Sequence, residues 1–598
     1  MIDIPSATAD AYANYFVQEL TPIGGSLVGS FFVGLIPLIL VLVLLGIFRI
    51  PAHYAAISSL VVCIFVAIFA WRMPAQQAFS SIAFGLVFAN WPIMWIVFNA
   101  MVVYNVTVRS GIFDVFRRWM LTNAPPDKRV YMIILGFSFC AILEGIAGFG
   151  APAAICAALL VSLGMEPLIA LSCVLIFDTT PVAFGALGIP VTTLASLTGL
   201  PVMSLSAMLG RQLPLFSLFM PLYASCAYAG FRAGLIECWP LCLVAGLSFS
   251  VTQAIFSNLV GPELPDLISG LVSLVVTIVF TQFWKPRYRE EYKATLTASA
   301  TTMSSENSRS SEGKGGESSA GNDEEMAVEP KPAPALATIQ DIKKPTLYEA
   351  LLAWSPWAII TITVIIWTFS KASSVGEQNV QWPHLHNRIW ITLYNKPYSA
   401  VWDFQPLATG TAILIGGFLF DFIVVALYGC KPNIIWLAVQ DAVKQLFFAD
   451  ITVSFIMALA YLYNYSGIAY TVGLTLSQVG KAFPFLSAWV GWLGCFLSGS
   501  DTSANSLFGN LQVVAANEIG LSAILMAATN SSGAITSKMI SPQTLTTGVS
   551  TIGMRGKEGM ILRHTIIHSV ILVCLIGALA CFQQYVIPGI IPSGDPSQ

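Results

Sequence analysis

The sequence predicts an all-α polytopic membrane protein, and three observations carry this prediction. Hydrophobic residues make up 56% of the 598 residues and charged residues only 10%, whereas an ordinary soluble protein carries about 25% charged residues. The apolar residues collect in runs of about 20, the length that crosses a bilayer as a helix. Gly, Ser or Pro interrupt several of these runs. The small share of charged residues and the large share of apolar residues exclude a soluble enzyme and a fully disordered chain. The net charge of −3 shows no excess of basic residues and excludes a nucleic-acid-binding protein.

The apolar runs predict about 12–14 transmembrane helices, arranged in two related halves with broken or re-entrant helical hairpins. The runs lie at residues 26–48, 53–71, 84–108, 133–164, 167–188, 213–228, 233–256, 267–284, 347–370, 407–427, 441–463, 482–499, 506–531 and 565–585. These segments are too long for the strands of a β-barrel, and a helix pairs its own backbone groups, so a helical bundle is the expected structure.

Composition divides the chain into three regions. Residues 1–293 form an N-terminal membrane half and residues 347–598 a C-terminal membrane half. Between them, residues 294–346 are rich in Ser, Glu and Gly and then in Pro. Such a segment cannot bury enough apolar area to offset its chain entropy, so we predict a disordered linker.

Basic residues beside the runs predict the orientation of the chain. They cluster after the third run, after residue 284 and before the last run, and they include Arg109, Arg117, Arg118, Lys128, Arg129, Lys285, Arg287, Arg289, Lys293, Arg555, Lys557 and Arg563. Loops rich in Lys and Arg remain in the cytoplasm. The linker is therefore expected in the cytoplasm, and both termini are expected outside. The Trp- and Tyr-rich loop at 371–405 is also expected outside.

The two halves repeat a weak pattern. Residues Tyr104–Phe116 resemble Tyr461–Gly473, and each segment precedes two apolar stretches broken by Gly, Ser or Pro. The broken stretches are 144–154 and 178–190 in the first half, and 498–510 and 530–543 in the second. Paired interrupted helices at corresponding positions indicate the binding site of a transporter. The alternative is that Gly and Pro only kink packed helices. The sequence leaves open whether the halves have opposite orientations.

The broken stretches contain polar and charged residues, which are costly at bilayer depth and are usually kept for function. A small anion would need a cation and the free amides of helix ends. The candidate substrate-binding residues are Lys538, Ser503, Thr502, Asn505, Ser532, Ser541, Gln543, Gly148 and Gly150. Proton coupling would need a carboxyl group in an apolar setting. The candidates are Glu144, which fits best, Asp178 and Asp501. The alternative is a purely structural ion pair between Glu144 and Lys538.

Neither a metal site nor an enzyme active site is predicted. The 11 cysteines occur singly in apolar runs, and no paired-His or CxxC motif is present. No nucleophile–base pair or phosphate-binding loop is recognisable. We therefore expect no cofactor, no metal and no catalytic residues.

A series of motifs, in order along the chain, carries a resemblance to a known family. They are WPIMWIVFNAMVVYNVTVRSGIFD (91–114), EGIAGFGAPAAI (144–155), PVAFGALGIP (181–190), GRQLP (210–214), GPELPDL (261–267), ATGTAIL (408–414), NYSGIA (464–469), GSDTSANSLFGNLQ (499–512) and SKMISPQ (537–543). With these motifs the chain resembles the lactate permease family, the bacterial-type L-lactate and glycolate permeases. It departs from the family pattern at Asp178, where an uncharged amide is usual, and in the long insert at 294–346.

The resemblance implies a secondary active transporter of the plasma membrane. It would import L-lactate, and also D-lactate and glycolate, together with protons, through a two-half fold with re-entrant hairpins. The expected partners are a small monocarboxylate, protons and the lipid bilayer, and no nucleic acid. The alternative is an uncoupled monocarboxylate channel or another organic-anion carrier.

Overall fold

The structure is a computed structural model that describes residues 15–48, 50–146, 148, 151–295, 343–554 and 556–593. Within these residues, eleven helices are long and apolar enough to cross a bilayer, or twelve if Pro167–Phe177 and Val182–Thr198, which meet at a 63° bend, are counted as one further span. The prediction of an all-α polytopic membrane protein is confirmed. Of the predicted linker at 294–346, residues 296–342 lie outside the described part of the chain.

The helices of the N-terminal half follow one another with short connections. They are α1 (Leu27–Gly46), α2 (Ala52–Phe65), α3 (Ala75–Phe88), α4 (Trp95–Arg109), α5 (Ile112–Thr122), α6 (Lys128–Tyr131), α7 (Cys140–Ile146), α8 (Ala151–Ser162), α9 (Pro167–Phe177), α10 (Gly185–Thr198), α11 (Val202–Leu209), α12 (Leu213–Gly230), α13 (Trp239–Leu259) and α14 (Pro265–Phe283). Segments with π-helical geometry extend or join several of them, at Val66–Ala70, Ala89–Met94, Met132–Phe139 and Phe231–Ile236.

The C-terminal half contains helices of more varied length. They are α15 (Leu347–Phe369), α16 (Thr409–Ala426), α17 (Asn433–Ser466), α18 (Ile468–Leu476), α19 (Phe483–Ser498), α20 (Asp501–Glu518), α21 (Ala523–Ile535), α22 (Pro542–Thr551) and α23 (Glu558–Tyr585). Helix α15 begins with a capping box, in which the Thr346 hydroxyl accepts the Glu349 N–H and the Glu349 side chain returns to the Thr346 backbone.

One short strand precedes α1, and four more lie in the loop between α15 and α16. They are β1 (Phe16–Val17), β2 (Gln378–Gln381), β3 (Ile389–Ile391), β4 (Lys396–Pro397) and β5 (Val401–Phe404). β1 pairs parallel with β3, which pairs antiparallel with β4, while β2 and β5 pair antiparallel. The beginning of the described chain is therefore fixed to the loop at 371–405.

Large apolar side chains are exposed along the outer helices, among them Phe32, Phe69, Leu259 and Phe283. Such a surface matches lipid rather than water. The helical stretch Lys128–Ile146 differs, because its apolar window is wholly buried inside the protein. This stretch therefore lies in the interior of the bundle, where irregular backbone can be accommodated.

Residues 128–146 and 151–162 form the two arms of a re-entrant hairpin, called hairpin 1 below. One arm runs through α6 and α7, and the other is α8. At its base, the Thr295 N–H donates to the Leu163 carbonyl at 3.2 Å and the Ala294 N–H to the Pro126 carbonyl at 3.0 Å. Both ends of hairpin 1 thus lie beside the segment that leads into the predicted linker.

Residues 483–518 form a second hairpin, called hairpin 2. Its arms are α19 and α20, and its tip is Gly499 and Ser500. The Gln512 side chain in one arm donates to the Ser487 carbonyl in the other at 2.9 Å. At the base, the Asn517 amide donates to the Tyr394 hydroxyl, in the loop at 371–405, at 3.1 Å.

The two hairpins enter the protein from opposite faces. Helices α9 and α10 connect the faces, because Pro167 follows the base of hairpin 1 while Thr198 lines the same cavity as Asn517 at the base of hairpin 2. The hairpins of the two halves therefore point in opposite directions.

The repeated segments of the two halves also have the same local structure. Helix α4 ends just before Gly111, and α17 ends just before Gly467. Each glycine has a left-handed backbone, with φ of +78° and +95°, and each starts the next helix. At Gly467 a side chain would also collide with Gln18, since a Cβ would lie 3.0 Å from the Gln18 Cβ.

Candidate functional site

Lys538 lies at the interruption between α21 and α22. Helix α21 ends at Ile535, a 3₁₀ turn spans Lys538–Ile540, and Pro542 starts α22 because proline is well tolerated in a first helical turn. The Lys538 Nζ atom is 2.7 Å from Glu144 Oε1 and 2.9 Å from Asp178 Oδ2. All three side chains are at most 3% exposed. Two carboxyl groups therefore share one buried ammonium group.

Glu144 is positioned by the tip of hairpin 1. It lies in the last turn of α7, and its carbonyl accepts the Gly148 N–H at 3.2 Å. Gly148 has a left-handed φ of +56°, and a Cβ there would lie 3.2 Å from the Ala186 Cβ. Glycine at this position lets the hairpin tip approach α10 closely.

Asp178 follows α9, where the second interrupted helix begins. Beyond it, Ala186, Leu187 and Gly188 all have left-handed backbones, with φ of +45°, +57° and +77°. For the alanine and the leucine this conformation costs about 1–2 kcal/mol each. This segment is also closely packed, because a Cβ on Gly188 would lie 2.5 Å from the Pro262 carbonyl oxygen. Backbone strain is thus concentrated at the site.

The tip of hairpin 2 supplies the fourth interruption. The Ser500 side chain caps α20 by accepting the Ser503 N–H at 3.3 Å. Asp501, in the first turn of α20, accepts a hydrogen bond from the Ser531 hydroxyl at 2.6 Å. Asp501 makes no ion pair within the described residues. The carboxyl groups that pair with Lys538 are those of Glu144 and Asp178.

These four interruptions surround one small cavity of about 30 Å³. It is lined by Glu144, Gly148, Val182, Gly185, Ala186, Ile189, Pro190, Gly499, Ser500, Asp501, Thr502 and Lys538. The cavity is therefore lined by acidic and basic side chains, by a wall of apolar side chains and by the N-terminus of α20.

Some of the candidate substrate-binding residues lie behind this cavity rather than on its wall. Asn505 donates to the Pro190 carbonyl at 3.2 Å and accepts from the Asn530 amide at 2.9 Å. The Ser532 hydroxyl donates to Gln212 at 2.6 Å. Ser503 is buried, and its N–H caps onto Ser500. These side chains connect the helices around the cavity.

The remaining candidates lie near the tip of hairpin 2 or outside the described residues. A Cβ on Gly499 would lie 2.9 Å from Ser541 Oγ and 3.0 Å from Gln543 Cβ. The Ser541 hydroxyl is buried and makes no hydrogen bond with any described residue, whereas Gln543 is exposed. Gly150 lies outside the described part of the chain.

Sequence reasoning missed Ser500, the apolar wall of Val182, Ile189 and Pro190, and the carboxyl group of Asp266. Asp266 is fully buried in the first turn of α14, against Gly145 in hairpin 1. An acidic residue at the start of an apolar run is the only signal the sequence offered for it. Within the described residues, no group of three or more His, Cys, Asp or Glu side chains is arranged to hold a metal ion.

Known proteins resemble this chain along nearly its whole length. The sequence profile described as L-lactate permease matches residues 30–587. Glycolate permease GlcA of Escherichia coli K12 is 39% identical over 592 residues, covering 97% of this chain and 100% of the relative. An L-lactate permease of Bacillus subtilis 168 is 38% identical over 599 residues, covering 96% and 100%.

Among solved structures, MtrF of Neisseria gonorrhoeae matches 84% of this chain and 83% of its own, at 12% identity and a TM-score of 0.39. The relatives identified by sequence are permeases and not enzymes. The chain belongs to the L-lactate permease family.

Proposed function

We propose that the protein imports L-lactate, and also D-lactate and glycolate, together with protons across the plasma membrane. The names of the relatives at 39% and 38% identity support glycolate and L-lactate as substrates. The observation that carries proton coupling is the contact of one buried ammonium group, Lys538, with two carboxyl groups.

Electrostatics links the anion to the proton. If Lys538, Glu144 and Asp178 were all ionised, these three groups together would carry one excess negative charge. A substrate carboxylate would add a second and would have to compete for Lys538, which is strongly unfavourable away from water. A proton on Glu144 or Asp178 frees part of the ammonium group and removes this repulsion. Substrate and proton therefore favour each other's binding.

The cavity supports a short 2-hydroxy acid. We propose that the substrate carboxylate binds Lys538 and the N-terminus of α20, where free amides favour an anion. Thr502 in the lining and the unpartnered Ser541 hydroxyl beside Gly499 are suited to the substrate hydroxyl. Val182 and Ile189 would contact the methyl group of lactate. Glycolate lacks this methyl group and would leave the space beside them free.

We also propose that the face with the base of hairpin 1 is cytoplasmic. Lys128 begins hairpin 1, and the carbonyl of Arg287 accepts a hydrogen bond from Arg129 at 2.8 Å, so basic residues lie near this base, as the positive-inside rule favours for a cytoplasmic face. Both ends of the described chain lie on the opposite face, because β1 pairs with the loop at 371–405 and Pro592 lines the cavity beside Tyr394. The linker would then be cytoplasmic and the termini outside.

Uptake of radiolabelled L-lactate into proteoliposomes tests this proposal. A pH gradient, alkaline inside, should drive accumulation of lactate above its external concentration, and unlabelled glycolate and D-lactate should compete. Non-saturating flux that ignores the gradient would instead indicate an uncoupled channel. Saturable flux that ignores the gradient would indicate another type of organic-anion carrier.

A further inference from the structure

Asp266 is a carboxyl group that stands against hairpin 1 outside the ion pairs of Lys538. It is 0% exposed. A Cβ on Gly145 would lie 3.2 Å from the Asp266 Cβ and 3.0 Å from the Leu267 nitrogen. Gly145 directly follows Glu144, so α14 touches the hairpin tip at the residue next to the proposed proton acceptor.

Asp266 has few partners for a buried carboxyl group. One hydrogen bond reaches it, from the Gln253 amide at the long distance of 3.5 Å, and its Oδ2 atom has no partner among the described residues. No described cation forms an ion pair with Asp266. Lys538 is engaged by Glu144 and Asp178.

An ionised carboxylate in this setting would be strongly unfavourable, because burial removes water and nothing replaces it. A carboxylate at the start of a helix often accepts backbone N–H groups, but no described backbone N–H donates to the Asp266 side chain. The group is therefore best accommodated as a neutral carboxylic acid.

The surroundings also allow this proton to leave. The charged groups around Asp266 are Glu144 on α7, Asp178 after α9 and Lys538 after α21. The two carboxyl groups favour retention of the proton. Lys538 and the N-terminus of α14 can balance the negative charge that remains when the proton leaves.

We propose that Asp266 is a proton-relay residue for the Glu144–Asp178–Lys538 site, an inference that rests on the proposed proton-coupled transport. When substrate leaves Lys538, the Asp266 acid gives its proton to a water molecule, which leaves as hydronium. The Asp266 carboxylate then takes the proton of Glu144, directly or through a water molecule, and the Glu144 carboxylate pairs with Lys538 again. Only O–H bonds are broken and formed, and the proton count balances.

The substitution Asp266→Asn tests this role, because asparagine resembles the neutral acid but cannot release a proton. Exchange of internal for external lactate does not require proton release, so exchange should continue in Asp266→Asn proteoliposomes. Net uptake driven by a pH gradient should fall to the level of liposomes without protein. A merely structural aspartate would not separate these two activities.

Asp421→Asn is the matched control. Asp421 on α16 is also a buried carboxyl group with an unpartnered oxygen, but its helix packs against α4 and α15 and, within the described residues, not against hairpin 1. It should retain both exchange and net uptake. If Asp266→Asn does not fold, Asp266→Ser, which keeps a hydroxyl group but releases no proton at neutral pH, replaces it in the same assays.

Two results would overturn the inference. One is a folded Asp266→Asn protein with gradient-driven uptake like that of the wild type. The other is a folded variant that loses exchange as well as net uptake. Both leave the coupling proposal intact as long as the wild type responds to the gradient. A wild type that ignores the gradient would instead contradict the proposed function itself.

Discussion

Lys538 is the residue on which the proposed chemistry depends. A buried ammonium group is tolerated only when its charge is balanced, and here two carboxyl groups provide the balance at 2.7 and 2.9 Å. Because of these contacts, a substrate anion must compete with the two carboxyl groups for the ammonium group. The anion gains access when one carboxyl group becomes neutral. The structural ion pair considered from the sequence and the proposed transport site are thus the same group of atoms.

Replacing Lys538 with alanine should abolish lactate uptake while leaving protein in the membrane. The two carboxyl groups left behind can bind protons and become neutral, which limits the structural cost. Uptake and the amount of folded protein should be measured together, with Lys481→Ala as the control because Lys481 is exposed. Loss of folded Lys538→Ala protein would indicate a purely structural ion pair, and normal uptake would remove Lys538 from the site.

The charges of the site were predictable, but their pairing was not. Lys538, Glu144 and Asp178 stand out because charges within apolar runs are rare. However, 394 residues separate Glu144 from Lys538, and no periodicity in the sequence states which helix interruptions meet. Asp266 was missed because an acidic residue at the start of an apolar run is ordinary at a membrane interface.

At the scale of elements, the site depends on close packing of hairpin 2 against α21. A Cβ on Gly491 would lie 1.9 Å from the Asn530 carbonyl oxygen, and one on Gly533 would lie 2.1 Å from the Ala488 carbonyl oxygen. Small residues allow helix backbones to approach in this way. The contact holds α21, and with it Lys538, against the hairpin.

Gly491→Ala should separate α19 from α21 and lower both thermal stability and lactate uptake. An added methyl group at a contact this short costs about 1–3 kcal/mol. The midpoint of thermal unfolding in detergent measures the first effect. Gly559→Ala is the control, because Gly559 is helical and has no neighbouring atom within 4 Å of a Cβ. Equal effects of both substitutions would contradict the packing argument.

The helix interruptions were predictable from Gly, Ser and Pro within apolar runs, but the direction of the segments was not. The runs at 482–499 and 506–531 were both expected to cross the membrane. In the structure the first belongs to α19, and the second combines the end of α20 with α21, so hairpin 2 turns back at Gly499. The length and apolarity of a segment predict that it lies in a membrane. Whether the segment crosses the membrane or turns back depends on its tertiary contacts.

At the scale of the whole molecule, a charged cluster ties hairpin 1 to the segment before the linker. Arg129 is fully buried and pairs with Asp127 at 2.7 Å and Glu237 at 3.0 Å. Glu237 also pairs with Arg289 at 2.6 Å. The hydrogen bond from Arg289, helped by Arg129, holds the pKa of Glu237 below its ordinary value. This cluster joins the base of hairpin 1 to helix α13 and to residues 287–295.

Glu237→Gln should lower thermal stability at about pH 7, and this loss should shrink at about pH 4. A lowered pKa in the folded state means that the ionised group stabilises the protein above its ordinary pKa. That contribution disappears as the pH falls through the lowered value. Glu291→Gln is the control, because the Glu291 side chain is 60% exposed and lies 3.5 Å from Arg289. A loss for Glu237→Gln that is independent of pH would contradict this assignment.

Opposed hairpins that meet at one cavity suit alternating access, because either base can move while the tips hold the substrate. The charge argument adds a condition, namely that the anion enters together with a proton. Joint binding of the anion and the proton is a property of the binding equilibrium. It can therefore be measured without a membrane.

The most direct test is to add lactate to the detergent-purified protein in a weakly buffered solution and to follow the pH with an indicator dye. The wild type should take up protons from solution as lactate binds, and Glu144→Gln should bind lactate with much smaller proton uptake. Lactate binding without proton uptake by the wild type, or equal uptake by the variant, would contradict the coupling of substrate and proton at Glu144.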